Sequence, residues 1–389
     1  MLEPATMALA AWLLSAAALP ARGAGMNEKT EPGGWIWISG YSYQRADLPQ
    51  RYQVVDWRGR STILALPKPG PLSPDGRRIA WGERDKDGLR VFMAELASAP
   101  ALELQGAPRR IFAIELPPQG MRLDSYVSAL GWSPDGQYLS LSVRDTRAGD
   151  VYLHRLADRQ GNILEIECGA DEKRQWSPDG RRYACGLRSK LLLFEPKTGG
   201  RAERFAAKDP SDFLSDLAWS PDSATIAFLH GRMAKGPEGG PATHSLETVS
   251  IESGKANVVI GDVEAVAGKD WTPGEVRWSP DGKAISFSTR GALFETDAVS
   301  HRTIKLLDAS RVRTVKKGEF AVLDCPRWSL DGRALVFLSS IASKLSESSP
   351  ESESALFLYD RRSKSVRKLL DHPAGYTFEV LPRPAPSTR

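Results

Sequence analysis

Short runs of apolar or alternating residues follow one another along most of the chain, and clusters of Gly, Pro, Ser and Asp separate them. Ile79-Ala80-Trp81 and Ile285-Ser286-Phe287 are two examples. Runs of this length with turn-forming residues at both ends are typical of β-strands. The pattern therefore predicts an all-β protein.

Six of these runs follow the same short segment, which has the form Trp-Ser-Pro-Asp-Gly or a close variant. The segments begin at Pro71, Gly131, Gln175, Ala218, Arg277 and Arg327, and their aspartates are Asp75, Asp135, Asp179, Asp222, Asp281 and Asp331. Successive aspartates are separated by 43 to 60 residues. A period of this size is typical of one four-stranded propeller blade with variable loops.

The chemistry of the segment predicts a tight turn between two antiparallel strands. Pro sets φ at the second turn position, Asp follows it, and Gly takes the position that requires a positive φ. A large apolar residue precedes the turn, and it is Trp in five of the six segments. Side chains that recur in this way at one position are expected to pack between neighbouring sheets.

Each unit continues with further strands, so we name its four strands A, B, C and D, with the Pro-Asp-Gly turn between A and B. The strands that begin at Trp35, Arg51 and Ser61 have the pattern of B, C and D of a blade without strand A. The strand near Gly375 has no partner of its own and can supply it, which would close the ring. The prediction is a single seven-bladed β-propeller, and a six-bladed propeller with an extra N-terminal hairpin is the alternative.

The repeated segments resemble the WD40-like Pro-Asp repeats of TolB-type β-propellers, and the resemblance extends over essentially the whole predicted mature chain. It implies a periplasmic role in protein interaction, although the repeat itself builds a turn and does not specify an activity. TolB-type proteins carry an α/β domain before the propeller, and no room exists for one between Gly25 and Trp35. Two repeats also depart from the pattern, because Ser223 replaces Gly and Leu330 replaces Pro.

The N-terminal segment has the features of a secretory signal peptide. An apolar run from Ala8 to Leu19 precedes small residues, which predicts a signal peptide over residues 1–24 and a propeller over residues 25–389. The chain is then periplasmic or secreted, with no transmembrane segment. The start of this segment is atypical because it carries Glu3 and no Lys or Arg, and translation from Met26 would leave the protein in the cytoplasm.

Three cysteines are too few for a disulfide scaffold and lack the C-x-x-C spacing of a thiolate zinc site. Cys168 and Cys185 fall on adjoining predicted strands, so an oxidising compartment would allow one disulfide between them. Two small buried thiols are the competing interpretation. Cys325 is expected to be an unpaired thiol in the core.

Loop lengths predict the face on which a partner would bind. The A–B and C–D turns are short and share one face, whereas the long irregular loops are the B–C and D–A connections on the other, which we call the B–C/D–A face. The candidate binding residues there are Tyr126, Trp271, Phe320, His230, His244, Arg311 and Arg313. The competing interpretation is that the aromatic residues pack locally and that the histidines and arginines are ordinary surface groups.

No catalytic motif accompanies this scaffold. The sequence lacks the G-x-S-x-G elbow and the H-E-x-x-H zinc motif, although His230 and His244 bracket one B–C loop and could approach each other. A net charge of +4 over 389 residues does not indicate binding to nucleic acid. We therefore predict an exported, non-enzymatic monomer without a cofactor that binds a protein or an envelope component through the B–C/D–A face. A channel-site lyase or hydrolase and an accessory propeller of a serine peptidase system are the alternatives.

Overall fold

A computed structural model describes a large part of the 389-residue chain. The described residues are 35–39, 51–65, 68, 70–84, 88–97, 103–115, 126–145, 151–168, 174–233, 243–268, 274–289, 291–314, 316, 319–343, 354–371, 373 and 377–381. The predicted signal peptide and Trp271 lie outside these residues.

The described residues form seven antiparallel sheets, which we number in chain order. Sheet 1 contains β1 (Trp35–Ser39), β2 (Arg51–Val55), β3 (Ser61–Ala65) and β27 (Thr377–Leu381). Sheet 2 contains β4 (Arg78–Arg84), β5 (Gly88–Leu96) and β6 (Leu104–Glu115). Sheet 3 contains β7 (Tyr126–Trp132), β8 (Tyr138–Asp145), β9 (Val151–Asp158) and β10 (Ile163–Ile166).

The remaining four sheets repeat the same up-and-down order. Sheet 4 contains β11 (Arg174–Trp176), β12 (Tyr183–Leu187), β13 (Lys190–Glu195) and β14 (Gly200–Ala206). Sheet 5 contains β15 (Phe213–Trp219), β16 (Thr225–Arg232), β17 (Thr243–Ser250) and β18 (Ala256–Ile260), followed by the short helix α1 (Val263–Ala267). Sheet 6 contains β19 (Val276–Trp278), β20 (Ala284–Thr289), β21 (Ala292–Asp297) and β22 (Thr303–Asp308), followed by a 3-10 turn (Ala309–Arg311). Sheet 7 contains β23 (Glu319–Trp328), β24 (Ala334–Ser343), β25 (Ala355–Asp360) and β26 (Ser365–Asp371).

The two ends of the described chain meet in sheet 1. The C-terminal strand β27 pairs antiparallel with the N-terminal strand β1, with Trp37 opposite Glu379 and Ser39 opposite Thr377. The orphan strand that the sequence places near Gly375 thus becomes strand A of the N-terminal sheet. β27 thus supplies strand A to β1, β2 and β3, which correspond to strands B, C and D of the other sheets.

Sheet 2 is the exception to the four-stranded pattern. Its strand A is reduced to one isolated bridge between Leu72 and Ile79, so three strands remain where the repeat predicts four. Pro71 explains part of the difference, because proline has no N–H to contribute to a ladder. Its carbonyl oxygen still accepts a hydrogen bond from Ala80 N, at 3.2 Å.

The six repeated turns share one hydrogen-bond pattern. In each, the Ser hydroxyl donates to the Asp carboxylate two residues later, at 2.5–2.7 Å. The backbone N–H at the Gly position donates to the Ser carbonyl, at 2.8–2.9 Å, which closes the turn. The glycines have φ between 63° and 72°, and Ser223 adopts 60° in the same place. The turn is therefore the one that the sequence predicts, with Ser as an additional participant.

That Ser has a second function, because its Oγ also accepts the backbone N–H five residues later, at 2.9 Å in every repeat. The hydroxyl thus ties the start of strand B to the turn. The Ser279 hydroxyl lowers the pKa of Asp281, and the Ser220 hydroxyl lowers the pKa of Asp222. Each turn is consequently held by a small closed network rather than by backbone preference alone.

Four of the five recurring tryptophans donate a hydrogen bond to the sheet before their own. The indole N–H of Trp132 donates to Pro71 O at 3.0 Å, and that of Trp278 donates to Ala218 O at 3.0 Å. Trp219 likewise reaches the Gln175 carbonyl oxygen, at 3.1 Å. These contacts explain why Trp recurs at this position, since a smaller apolar residue could not both fill the space and donate across it.

Apolar cores lie between successive sheets along the chain. One cluster of buried side chains joins each of the pairs 2–3, 3–4, 4–5, 5–6 and 6–7, and a further cluster joins sheet 7 to sheet 1. A sheet buried on both faces by its neighbours is the packing unit of a radial repeat. The nearly all-β architecture is consistent with a β-propeller.

Cys168 and Cys185 form a disulfide between the segment that follows β10 and strand β12. The bond crosses from sheet 3 into sheet 4 within the apolar cluster that contains Leu156, Trp176 and Phe194. The alternative of two separate buried thiols therefore does not apply. Cys325 is an unpaired cysteine of intermediate exposure, so it lies less deep than the core position that we expected.

Candidate binding face

Two of the predicted aromatic residues lie in strands rather than in the D–A loops. Tyr126 is the first residue of β7 and pairs with Arg144, and Phe320 belongs to β23 and pairs with Ala342. The predicted loops were too long at these ends because the first strands of sheets 3 and 7 start earlier than the repeat suggests. Trp271 falls outside the described residues.

His230 and His244 do not form a joint site. On strands β16 and β17, His230 lies opposite Ser245 while His244 lies opposite Gly231. Neighbouring positions along a strand point to opposite faces of the sheet, so the two imidazoles are separated by sheet 5 itself. The idea that the two side chains approach each other is therefore wrong, and each has its own partners.

His230 is buried between two carboxylates. Its Nδ1 lies 2.9 Å from Glu247 Oε1, and its Nε2 lies 3.0 Å from Asp212 Oδ2. Glu247 also accepts from Arg232 Nη2 at 2.8 Å and from the Ser245 hydroxyl at 2.7 Å. Burial raises the pKa of the Glu247 carboxyl, but the hydrogen bonds from His230 and Ser245 and the nearby positive charges outweigh it, so the pKa lies below its ordinary value.

His244 connects strand β17 to helix α1. Its Nδ1 lies 2.7 Å from Glu264 Oε1, and its backbone N–H donates to Glu264 Oε2 at 3.0 Å. The edge of the Phe213 ring packs on the imidazole, with ring centroids 5.7 Å apart. Gly231 is required beside this pair, because a Cβ there would lie 2.3 Å from the Phe213 ring. The D–A connection after sheet 5 is thus fastened to the end of the sheet.

Arg311 and Arg313 hold backbone carbonyls rather than pointing freely into solvent. Arg311 is exposed and donates to Lys364 O at 3.0 Å. Arg313 donates to Ser339 O at 3.0 Å and lies over the Phe357 ring at 5.7 Å from its centroid. Both side chains consequently attach the connection after β22 to sheet 7.

Ion pairs that the sequence analysis missed join the first strands of sheets 5, 6 and 7. Asp216 of β15 accepts from the backbone N–H of Val276 and lies 3.8 Å from Arg277 Nη1. Glu275, just before β19, pairs with Arg277 and with Arg327 of β23. Such pairs between neighbouring sheets fix the first strands relative to one another.

These pairs have a signal in the sequence. In both cases a carboxylate stands three residues before the Trp of one repeat, and an arginine stands immediately before the Trp of the next. Asp216 and Arg277 follow this rule, and so do Glu275 and Arg327. This pattern of charges is confined to the last three repeats, since the first three have neither a carboxylate nor an arginine at these positions. In the seventh sheet the carboxylate position is taken by Cys325.

The surroundings of Cys325 keep its thiol protonated. Burial, together with the negative charge of Glu275, raises the pKa of its thiol to about 12. The thiol donates to Glu275 Oε1 at 3.6 Å. Since the thiolate is the nucleophilic form, this cysteine is not suited to covalent catalysis.

A cavity of about 420 Å³ opens between the outer strands of sheets 3 and 4. Tyr152, Phe194 and the disulfide-bonded Cys168 contribute to its walls. Two arginines line it as well, but Arg155 is paired with Glu165 and Arg201 with Glu167, each at 2.8 Å. The cavity reaches the start of the D–A connection after β10 at Glu167 and Cys168, but it has no residue in common with the predicted binding set.

Two large apolar side chains are exposed at the B–C/D–A end of sheet 5. Met233 directly follows β16 and is 47% exposed, and Val266 lies on α1 and is 39% exposed. The polar groups of His230, Arg232 and Glu264 lie in the same two connections or at their bases. Both side chains therefore lie on connections of the B–C/D–A face and expose apolar surface there.

Neither a metal cluster nor a membrane-spanning helix was found where the chain is described. No group of three or more His, Cys, Asp or Glu side chains in the described ranges is placed to hold a metal ion. Within the same ranges, no helix is both long and apolar enough to cross a membrane.

No family model and no curated protein matches this chain. Among solved structures, the chain is similar to a protein assigned as TolB from Agrobacterium tumefaciens, with 18% identity, a TM-score of 0.42, and coverage of 68% of this chain and 84% of that one. It is also similar to an oligogalacturonate lyase from Vibrio parahaemolyticus, with 13% identity, a TM-score of 0.46, and coverage of 76% and 73%. A third similar structure is the acylaminoacyl peptidase of Pyrococcus horikoshii, with 11% identity and a TM-score of 0.48. The aligned region covers 87% of this chain and 50% of the peptidase. These values are too low to support a functional argument.

Proposed function

We propose that this protein is an exported seven-bladed β-propeller, closed by β27, that binds a protein or an envelope component through its B–C/D–A face. What supports the closed ring is the β27–β1 pairing together with the apolar cluster between sheets 7 and 1. What supports export is the predicted signal peptide, and the disulfide between Cys168 and Cys185 agrees with an oxidising compartment.

The observation that carries the proposed binding role is the pair of exposed apolar side chains, Met233 and Val266, on a rigid support. Met233 directly follows strand β16, and the contact between His244 and Glu264 fastens the connection that bears Val266. Apolar side chains on a pre-organised surface lose little conformational entropy when they are buried by a partner. Binding there therefore does not require the sheet to rearrange.

The polar groups at this face favour binding over catalysis. Glu247 is held by His230, Ser245 and Arg232, and Glu275 is held by two arginines. A general acid or base must exchange its proton with a substrate, and these carboxylates are instead engaged by fixed donors. Their arrangement fits a structural role in holding the first strands of the sheets.

A comparison of point variants tests the proposal. The mature chain and the variants Met233→Glu, Val266→Glu and Val299→Glu are used to recover partners from an envelope extract. Val299 is 89% exposed on the opposite face, so its variant is the matched control. We expect the first two variants to lose at least tenfold of the recovered partner while Val299→Glu keeps it. Equal recovery by all three variants, or turnover of an acidic polysaccharide by the mature chain, would contradict the proposal.

A further inference from the structure

The cavity between sheets 3 and 4 lies where the outer strand of sheet 3 is short. Strand β10 has four residues, whereas the outer strands of the neighbouring sheets, β6 and β14, have twelve and seven. β10 therefore covers less of the space between the sheets than its counterparts do. Gly199, in the turn before β14, also lines the cavity, and a Cβ added to this exposed residue would meet nothing within 4 Å. The cavity is consequently open to solvent on this side.

Apolar and aromatic side chains form one part of the cavity wall. Leu164 and Ile166 come from β10, Tyr152 from β9 and Phe194 from β13. Ile166 and Phe194 are buried members of one apolar cluster. Protein interiors contain few voids larger than a water molecule, whereas ligand sites measure about 300–1,000 Å³ and have apolar and aromatic walls. A cavity of about 420 Å³ with these walls therefore has the size and composition of a site for a small ligand.

A pair of opposite charges joins the two sheets at this cavity. Arg201 of β14 and Glu167, which directly follows β10, both line it, and Arg201 Nη2 lies 2.8 Å from Glu167 Oε2. The Arg201 guanidinium also lies over the Phe194 ring, 5.9 Å from its centroid. The two side chains are 50% and 61% exposed. An ion pair this exposed contributes little to stability, so these two charges can accommodate a ligand at small cost.

We propose that this cavity binds a free α-amino acid with an aromatic side chain. A guanidinium has five N–H donors and a carboxylate has two acceptor oxygens, so the contact between Arg201 and Glu167 leaves donors on the first and an oxygen on the second. The carboxylate of the amino acid accepts hydrogen bonds from Arg201, and its ammonium group donates to Glu167. Its aromatic ring enters the apolar part of the cavity, beside Tyr152 and Phe194.

The balance of charges at the cavity is what selects this class of ligand. A ligand with only a carboxylate would bring its negative charge next to Glu167, and a ligand with only an amine would bring its positive charge next to Arg201. Like charges placed side by side oppose binding. A zwitterion instead gives each of the two side chains a further counter-charge. This site is separate from Met233 and Val266, so it does not depend on the proposed binding face.

Titration calorimetry of the full mature chain with three small probes tests the proposal. The probes share a benzene ring: L-phenylalanine has both charged groups, phenylacetate has only the carboxylate and phenethylamine has only the ammonium group. We expect saturable binding of L-phenylalanine and affinities lower by about tenfold or more for the other two, since each lacks a hydrogen bond to a charged group. Absence of saturable L-phenylalanine binding, or equal affinity of the three probes, would overturn the proposal. These measurements use the wild-type chain, so they decide even if a variant fails to fold.

Two variants locate the binding in this cavity. Arg201→Gln and Glu167→Gln should each weaken L-phenylalanine binding by about tenfold or more. Lys190→Gln is the matched control, because Lys190 and Glu203 form a pair on the same sheet, also at 2.8 Å and with side chains 49% and 46% exposed, and neither lines the cavity. This control should bind like the wild type. Unchanged affinity in Arg201→Gln or Glu167→Gln, or an equal loss in Lys190→Gln, would overturn the proposal.

Discussion

Removal of the disulfide between Cys168 and Cys185 has a calculable cost. The bond spans 17 residues of chain, and it removes loop-closure freedom from the unfolded state. For a loop of this length the chain-entropy relation gives about 3 kcal/mol at 25 °C. The unfolding equilibrium constant of the reduced protein should therefore be on the order of a hundredfold larger than that of the oxidised protein.

The assay is urea unfolding followed by tryptophan fluorescence, on the oxidised wild type, the reduced wild type and the double variant Cys168→Ala/Cys185→Ala. Trp176 belongs to the same apolar cluster as both cysteines and reports on it directly. We expect the reduced wild type and the double variant to lose similar free energy of unfolding. Cys325→Ala is the control, because it removes a thiol and leaves the disulfide in place.

Alkylation of the unfolded, unreduced chain with a thiol reagent counts its free cysteines and can refute the argument. The account predicts that one cysteine per unfolded chain reacts with a thiol reagent when the protein is isolated from an oxidising compartment. If three cysteines react, the bond does not form there and the stability argument fails. If one reacts but reduction leaves the free energy of unfolding unchanged, then the entropic estimate is wrong.

Three further predictions concern the repeated turns. Ser279→Ala removes the hydrogen bonds to Asp281 and from Ala284 N, so we expect a loss of about 2 kcal/mol in urea unfolding, whereas loss below 0.5 kcal/mol would show that the hydroxyl is dispensable. Ser223→Gly relieves the strain of a φ of 60° but loses the hydrogen bond from Asp179 N, so the free energy of unfolding should hardly change. Ser223→Ala keeps the strain and loses the same hydrogen bond, so it should lower the free energy of unfolding by about 1 kcal/mol. Equal effects of the two variants would contradict this. The Ser279 hydrogen bond lowers the pKa of Asp281, so the ionised Asp281 contributes to the stability of the fold above its ordinary pKa of 3.8 and loses this contribution as the pH falls through the lowered pKa. The difference in free energy of unfolding between the wild type and Asp281→Asn should therefore shrink in acid.

Most of the architecture can be predicted from the sequence because the repeat is local. A turn that needs Ser, Pro, Asp and Gly at adjacent positions leaves its full signature within four residues, as at Ser279–Gly282. The pairing of β27 with β1 is distant in the chain, but it is also predictable, because a set of three strands and an orphan strand complete each other. The shortening of strand A in sheet 2 cannot be predicted in this way, because the effect of Pro71 depends on the strand with which it pairs.

The details of the candidate face are less accessible from the sequence for a geometric reason. His230 and His244 are 14 positions apart, and whether they meet depends on the register of β16 and β17, which no local residue pattern specifies. The partners of His230 come from three separate segments, so the sequence presents Asp212, Glu247 and Arg232 as unrelated charges. In contrast, the pair of Glu275 and Arg327 repeats with the period of the fold and could have been found.

The proposed closure of the ring is tested most directly by a cross-link between β1 and β27. Ser39 and Thr377 are paired across β1 and β27, and paired residues in antiparallel strands lie within the Cα separation that a disulfide needs. In a Cys325→Ala background, Ser39→Cys/Thr377→Cys should form an intramolecular disulfide that changes the mobility of the unfolded monomer on a non-reducing gel. The mismatched pair Trp35→Cys/Thr377→Cys, four residues out of register, should not. Links that form only between molecules, or equally well in both pairs, would contradict the closed propeller.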